Sequence, residues 1–410
     1  MTEKLPPGWE KTKLSTICDL IRGITFPASE KEEHESASNI SCLRTTNVQN
    51  EIVWDNVYFV PKIFVKKDAQ IVREGDILMS MANSYELVGK TALVKNLPMN
   101  ATFGAFLAAI RPKNKVNNRY IFYQLRTEQA QNALRMGSSQ TVNIANISHQ
   151  KLNELEILVA PPDEQKRIVA RLDRLLARVD SCRAHLDRAA AAIKRFRQSV
   201  LNNLITPSDR CKRVNLSDVC KSIADGDHQA PPKSETGIPF LVISNLMSGK
   251  VDLQSVTRYV PETYYNSLNV NRSPQKNDIL YTVTGSYGKA VLVENDAKFC
   301  FQRHIAILKP DPAKVDHTFL LYQLNSPQIL NQANETATGV AQLTVPLKKL
   351  REFKVELPSL KEQKLIARKI STLFNYADQF ESRLTAARER VDNLTASILA
   401  KAFRGELVAA

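Results

Sequence analysis

The feature that most limits what this chain can fold into is that it repeats itself at close to half its length. The stretch "APPDEQKRIVARLDRLLARVD" ending at Asp180 is echoed by "LPSLKEQKLIARKISTLFNYAD" ending at Asp378, and Glu164 and Glu362 stand 198 positions apart. The echo extends upstream. "LRTTNV" from Leu43 answers "LVISNL" from Leu241, "GDILMSMANSYELVGK" answers "NDILYTVTGSYGK", and Asp76 matches Asp278. "LAAIRP" answers "IAILKP", and "YQL" at Tyr123 answers "YQL" at Tyr322. A duplication on this scale means two copies of one structural unit, which must be recognised before any local reading.

Each copy divides into a longer and a shorter part. In the shorter part of the first copy, Ile168, Leu172, Leu175, Val179, Leu186, Ile193, Phe196 and Val200 fall on steps of three, four or their sum of seven. In the second copy Ile366, Ile370, Leu373, Phe380, Leu384, Val391, Leu394 and Ile398 do the same. Such steps sustained over more than four heptads predict a coiled-coil seam. Pro161-Pro162-Asp163 opens the first helix, and Ser359 followed by Glu362 forms a capping-box pattern at the second. At 1.5 Å per residue, a helix of this length spans roughly 60 Å. The longer parts alternate β-rich runs such as "EIVWDNVYFV" and "DILYTV" with turn clusters. The expected division is residues 1–160, a first mixed α/β domain; 161–206, a first helical spacer; 207–357, a second such domain; and 358–410, a second spacer. The expected fold is therefore α+β, two globular domains joined by two long helices. Antiparallel pairing is expected, because a parallel pair would require the second domain to span the rod.

With 56 lysines and arginines against 42 acidic residues, the chain carries a formal charge of +14, which favours a nucleic-acid partner. No apolar run approaches the ~20 residues of a membrane span, and "MTEKLPPGWE" has no apolar leader core, so no secretory leader and a cytoplasmic location are expected. Six cysteines without a C-x-x-C pair fit reduced thiols. Cys18 and Cys220 fall at equivalent repeat positions, as buried packing residues would. No dinucleotide, phosphate-loop, zinc-protease or nucleophile-elbow motif occurs, and no histidine pair has metal-ligand spacing. Pro162-Asp163-Glu164-Gln165-Lys166 superficially matches a nuclease pattern, but its elements overlap, and helix capping accounts for it. These readings point to a binding protein: a DNA reader or, alternatively, a coiled-coil scaffold with protein-binding ends.

The "LPPGW" opening, "DGDHQAPPKSETGIPFL", the "GSYGK" turn, the paired "LP(P/S)…EQ" helix starts and the closing "ILAKAFRGEL", taken in order and in duplicate, resemble the specificity subunits of type I restriction-modification systems. That resemblance covers the whole chain. It implies two target recognition domains, each reading half of a bipartite asymmetric DNA site. It also implies two methyltransferase subunits that use S-adenosylmethionine on adenine, motor-nuclease subunits that use ATP and Mg, and no chemistry or bound cofactor in this chain. Consistently, no Asn-Pro-Pro-Tyr-like tetrad of adenine methylation is present.

Base readout needs polar side chains on loops or helix ends. At matched repeat positions the candidates in the first domain are Arg22, Thr25, Arg44, Thr46, Asn47, Asn83, Ser84, Tyr85 and Lys90. In the second they are Asp227, His228, Ser244, Asn245, Thr284, Ser286, Tyr287 and Lys289, with Gln302 and Arg303 standing where the first has Gly104-Ala105. The resemblance adds Ser138, Ser139 and Gln140 in one loop and Thr338, Gly339 and Gln342 in the other. Lys90 and Lys289 are candidates for phosphate rather than base contact. No metal ligands are expected.

Overall fold

The computed structural model describes residues 5–113, 116–136, 139–141, 144–205, 211–226, 231–340 and 342–407. It contains two mixed α/β domains and two long helices, Pro162–Leu204 of 43 residues and Leu360–Phe403 of 44. The chain forms two compact units, residues 1–186 with 386–410 and residues 187–385. The units therefore do not follow the four expected segments. Each takes one globular domain and part of both long helices, because the helices pack on the domains as well as on one another.

The two domains share one topology. In the first, a four-stranded antiparallel sheet has the order Cys18–Arg22, Leu107–Pro112, Ile77–Ser80, Thr91–Leu93; in the second it is Cys220–Asp225, Ile305–Pro310, Ile279–Thr282, Ala290–Leu292. A smaller mixed sheet sets Asn39–Leu43 antiparallel to Tyr58–Pro61 and parallel to Ala101–Phe103. Its counterpart sets Ile238–Leu241 between Tyr259–Val260 and Cys300–Phe301 with the same polarities. The central strand Ile77–Ser80 is buried on both faces, as is Ile279–Thr282, which is why "DILMS" and "DILYT" read as continuous apolar runs rather than alternating ones. The first domain closes with the pairing of Glu10–Lys13 against Glu156–Val159, and the second with Lys212–Asn215 against Lys354–Leu357.

The repeated "EQ" at each helix start has a specific job. Gln165 is buried; its Oε1 accepts from the Asn117 N–H at 2.9 Å, and its Nε2 donates to the Ala160 carbonyl at 2.8 Å. Gln363 repeats this with the Asp316 N–H at 2.8 Å and the Pro358 carbonyl at 2.8 Å. Asn117 and Asp316 are the N-caps of equivalent helices, so one amide clasps the long helix to the domain that precedes it. The Ser359–Glu362 capping box is formed, with Glu362 Oε2 accepting from the Ser359 N–H at 3.0 Å. Gln165→Ala or Gln363→Ala strands a buried main-chain N–H and a carbonyl. Each should cost about 1–3 kcal/mol, read as a lowered urea midpoint, whereas Glu164→Ala should cost less.

Within each unit the long helices run antiparallel. In the first, Arg183 donates to Asp392 (3.1 Å) and Thr395 (3.2 Å), while Ile168 and Leu172 lie nearer the helix start and share a core with Leu399, Ala402 and Phe403. In the second, Arg197 pairs with Asp378 and with Glu381 at 3.1 Å, and its guanidinium lies 4.9 Å from the Phe374 ring centre; further along, Val200, Leu201 and Ile205 meet Ile370. The expected seam is only partly closed. Ile168, Leu172, Val179, Val200 and Ile370 are buried, and Leu175, Leu186, Ile193, Ile366, Leu373, Leu384, Val391 and Ile398 half-buried. Phe196, Phe380 (56 % exposed) and Leu394 stand in solvent, which corrects the expectation for those three. The physical reason is that each helix divides its apolar surface between its partner and a domain. The Phe403 ring, off the expected stripe, packs edge-on against Tyr120 at 5.2 Å.

Candidate nucleic-acid interface

In each domain three loops converge at the end of the central strand. In the first, the Met81 N–H donates to the Phe106 carbonyl (2.8 Å) and the Ile147 N–H to the Met81 carbonyl (2.9 Å), while Ala82–Asn83 pairs with Ile144–Asn146, which in turn pairs with Ser139–Thr141. In the second, Val283 is bonded in the same way to His304 (2.9 Å) and Val345 (2.8 Å), and Gly285 donates to the Leu343 carbonyl at 2.8 Å. The loops that sequence spacing separates by some sixty residues are thus brought together: 82–85 with 104–106, 139–141 and 144–146, and 284–286 with 302–304, 338–340 and 342–344.

Their contents differ between domains. Gly104-Ala105-Phe106 stands where the second domain has Gln302-Arg303-His304, an equivalence fixed by Gly104 N–H to Leu43 O (2.9 Å) and Gln302 N–H to Leu241 O (3.1 Å). Arg303 is exposed, and its Nε lies 3.4 Å from His304 Nε2. Burial and the Arg303 charge hold the His304 imidazole below its ordinary range, so it stays neutral at physiological pH. Phe106 and His304 escaped the sequence reading; the repeat alignment, carried one residue further, would have found both.

Several candidates lie on these surfaces. Arg22, Thr25, Thr46, Ser84, Tyr85, Ser244, Ser286, Thr338, Gly339 and Gln342 are exposed, Gln302 is half-buried, and Ser139 and Gln140 lie on the strand Ser139–Thr141. Ser138, Asp227 and His228 lie outside the described residues. Asn83 is half-buried, with its Oδ1 accepting from the Ser84 N–H at 2.9 Å. Gly339 has φ +127°, and a Cβ there would meet the Gln342 carbonyl at 2.5 Å, so it shapes the loop through its backbone.

Other candidates are structural. Asn47 is 2 % exposed; it accepts from the Arg44 N–H (3.0 Å) and donates to the Val53 (2.8 Å) and Asp55 (3.1 Å) carbonyls. Asn245 accepts from the Val242 N–H (2.9 Å) and donates to Ser255 (3.0 Å). Both asparagines staple loops from within, because a turn with inward N–H and C=O groups must satisfy them. Thr284 is buried against Thr344, their hydroxyls 3.2 Å apart, and the Tyr287 hydroxyl donates to Asn334 at 3.0 Å. Lys90 donates to Gln49 and Lys289 to the Met247 carbonyl, so each lysine is spent inside its own domain; burial also pulls the Lys289 ammonium below its usual range. Gly23 and Gly226 matter for a different reason. A Cβ at Gly23 would lie 2.2 Å from the Gly104 carbonyl, and one at Gly226 2.4 Å from that of Phe301, so "RGIT" and "DGDH" need glycine for strand approach.

Comparison with known proteins decides the family. The profile described as "Type I restriction modification DNA specificity domain" matches residues 6–187 and again 209–389. The chain belongs to this type I restriction-modification specificity family. The type I restriction enzyme EcoKI specificity subunit of Escherichia coli K12 is 33% identical over 427 aligned residues, covering 99% of this chain and 90% of that protein. The StySPI specificity subunit of Salmonella potsdam is 30% identical with the same coverage. In three dimensions the fold resembles a chain from a structure of complex assembly in the type I R-M system (TM-score 0.76, 19% identity, 98% of this chain and 99% of the other). It also resembles the HsdS subunit from Thermoanaerobacter tengcongensis (TM-score 0.56, 20% identity, 99% and 100%). As a member of the family, the chain is a DNA specificity subunit that associates with DNA and with other restriction-modification subunits. Among the described residues, no helix is long and apolar enough to cross a membrane, and no cluster of three metal-ligating side chains occurs.

Proposed function

We propose that each domain reads one half of a bipartite, asymmetric DNA target through its three converging loops, and that the chain performs no chemistry itself. The observation that carries this reading is the repeated loop cluster with unlike contents, Gly104-Ala105-Phe106 in one domain and Gln302-Arg303-His304 in the other. A shared frame presents different hydrogen-bonding groups, which is what reading two different half-sites requires. The chain would direct two methyltransferase subunits that use S-adenosylmethionine to methylate adenine, together with motor-nuclease subunits that use ATP and Mg for cleavage. The exposed rings of Phe196, Phe380 and Tyr376 on the long helices suit such a protein partner.

The test is co-expression with the methyltransferase encoded beside this chain in a methylation-free host, followed by genome-wide mapping of modified bases. One bipartite motif with a fixed unspecified gap, and modified adenines in both halves, is the expected result. A soluble assembled complex that adds no modification would overturn the reading and favour a scaffold.

A further inference from the structure

Beside the loop cluster of the first domain lies a concave pocket of about 470 Å³, whose walls include Thr25, Phe26, Lys31, Arg44, Tyr58 and Phe106. A cavity of about 150 Å³ already accepts a benzene ring, so this one has room for a larger planar ring system. Its chemistry is selective. Among the described residues, three aromatic rings line it, two cations stand in its wall, and no carboxylate does. The Arg44 guanidinium lies 4.0 Å from the Tyr58 ring centre and the Lys31 ammonium 5.0 Å. Arg44 is held by the Tyr58 hydroxyl and the Asn56 carbonyl (2.9 Å), while its buried Nε has no hydrogen-bond partner among the described residues. Phe106 is 67 % exposed at the edge of the loop that meets Met81. A bare phosphate would find too much apolar wall here, and a cationic ligand would meet Lys31 and Arg44. A flat aromatic group attached to an anionic backbone satisfies both halves of the lining.

We infer that this pocket receives a nucleobase turned out of the duplex in the half-site read by the first domain, stacked on the exposed Phe106 ring with the Arg44–Tyr58 pair at its edge. A base within the duplex presents only its edge to a groove and cannot fill a cavity lined by rings; an unstacked base presents its face. The second domain arranges its pair differently. There the ring, Phe240, comes from the strand Ile238–Leu241 and the cation, Arg258, from just before Tyr259–Val260, 4.4 Å apart. The inference rests on the DNA-reading role proposed above, and assigns the first half-site a readout that the second half-site need not share.

The experiment uses the chain assembled with its methyltransferase and duplexes carrying the mapped target. 2-Aminopurine replaces one base at a time across the first half-site, leaving the methylated position unsubstituted. Binding is followed by anisotropy in the same samples. A several-fold fluorescence rise at one position is expected. Phe106→Ala and the cavity-filling Ala28→Trp should both remove it and weaken binding about ten- to hundredfold, with an unchanged unfolding temperature and unchanged second-half specificity. The inference is overturned if specific binding occurs without a rise at any position, if both variants keep the rise, or if adenosine monophosphate alone fills the pocket while no duplex base responds. Loss of all preference for the mapped sequence would instead refute the DNA-reading role itself.

Discussion

Removing one member of the buried ion pair in either domain should destabilise the chain by about 3–5 kcal/mol, and the two domains should then differ in how pH relieves the damage. In the first domain Asp76 is fully buried and receives Arg111 through two bonds of 2.7 Å, Nε to Oδ1 and Nη2 to Oδ2, while also accepting from the Arg73 N–H at 2.8 Å. In the second, Lys309 replaces the arginine, donating to Asp278 at 2.6 Å and to the Ser273 carbonyl at 2.8 Å; Asp278 accepts from the Gln275 N–H at 2.8 Å. The intact pair need not add much net stability, since desolvation offsets attraction, but an abandoned charge has nothing to offset its burial. Asp76→Ala leaves Arg111, which cannot shed its proton, so the loss should persist from pH 7 to pH 5. Lys309→Ala leaves Asp278, whose carboxyl burial already pushes above the ordinary carboxylate range and Lys309 now pulls down. Without the lysine the folded-state value rises further. Stability is then highest where the carboxyl is protonated and is lost as pH rises through that value, so acidification should recover part of it. Urea unfolding at both pH values checks this; identical pH dependence of the two variants would contradict the account.

Arg303→Ala combined with Gln342→Ala should relax the target in one half only. Both side chains are exposed, on two of the three converging loops of the second domain, so their loss should leave the fold alone. If each side chain makes a good polar contact with a base edge, discrimination falls by about 1–3 kcal/mol per contact, roughly ten- to hundredfold for each. Methylation mapping of the variant should show the first half-site unchanged and one or two positions of the second degenerate. The lysines provide the contrast. Lys90→Ala and Lys289→Ala, which remove internal bonds to Gln49 and the Met247 carbonyl, should lower stability with no change in motif. A relaxed first half-site in the Arg303/Gln342 variant would remove the one-domain, one-half assignment.

The family, the duplication and the two long helices were legible because each rests on local pattern. Steps of three and four mark a helix wherever it goes, and Ser359 with Glu362 announces its start. The site was only partly legible, for a physical reason. "TTN" and "ISN" look alike as polar loops, yet Asn47 and Asn245 turn inward because their own turns contain main-chain groups that need partners. Whether a polar side chain faces solvent or its own loop depends on hydrogen bonds made six to ten residues away, and spacing alone does not encode them. The same limit hid Phe106, an apolar residue in a search for polar readers. The seam was misplaced at Phe196, Phe380 and Leu394 because helical periodicity identifies an apolar stripe without saying how much of it a partner covers.

The glutamine clasp at each helix start bonds only to main-chain atoms among the described residues: the N–H groups of Asn117 and Asp316 and the carbonyls of Ala160, Pro358 and Lys314. It therefore asks nothing of the side chains in the domain it seats. A domain of different sequence whose backbone followed the same path would offer Gln165 or Gln363 the same main-chain bonds. The clasp alone therefore sets no side-chain requirement on the domain it holds, whereas the ring contact of Phe403 with Tyr120 and the Tyr123 bond to Asp173 do.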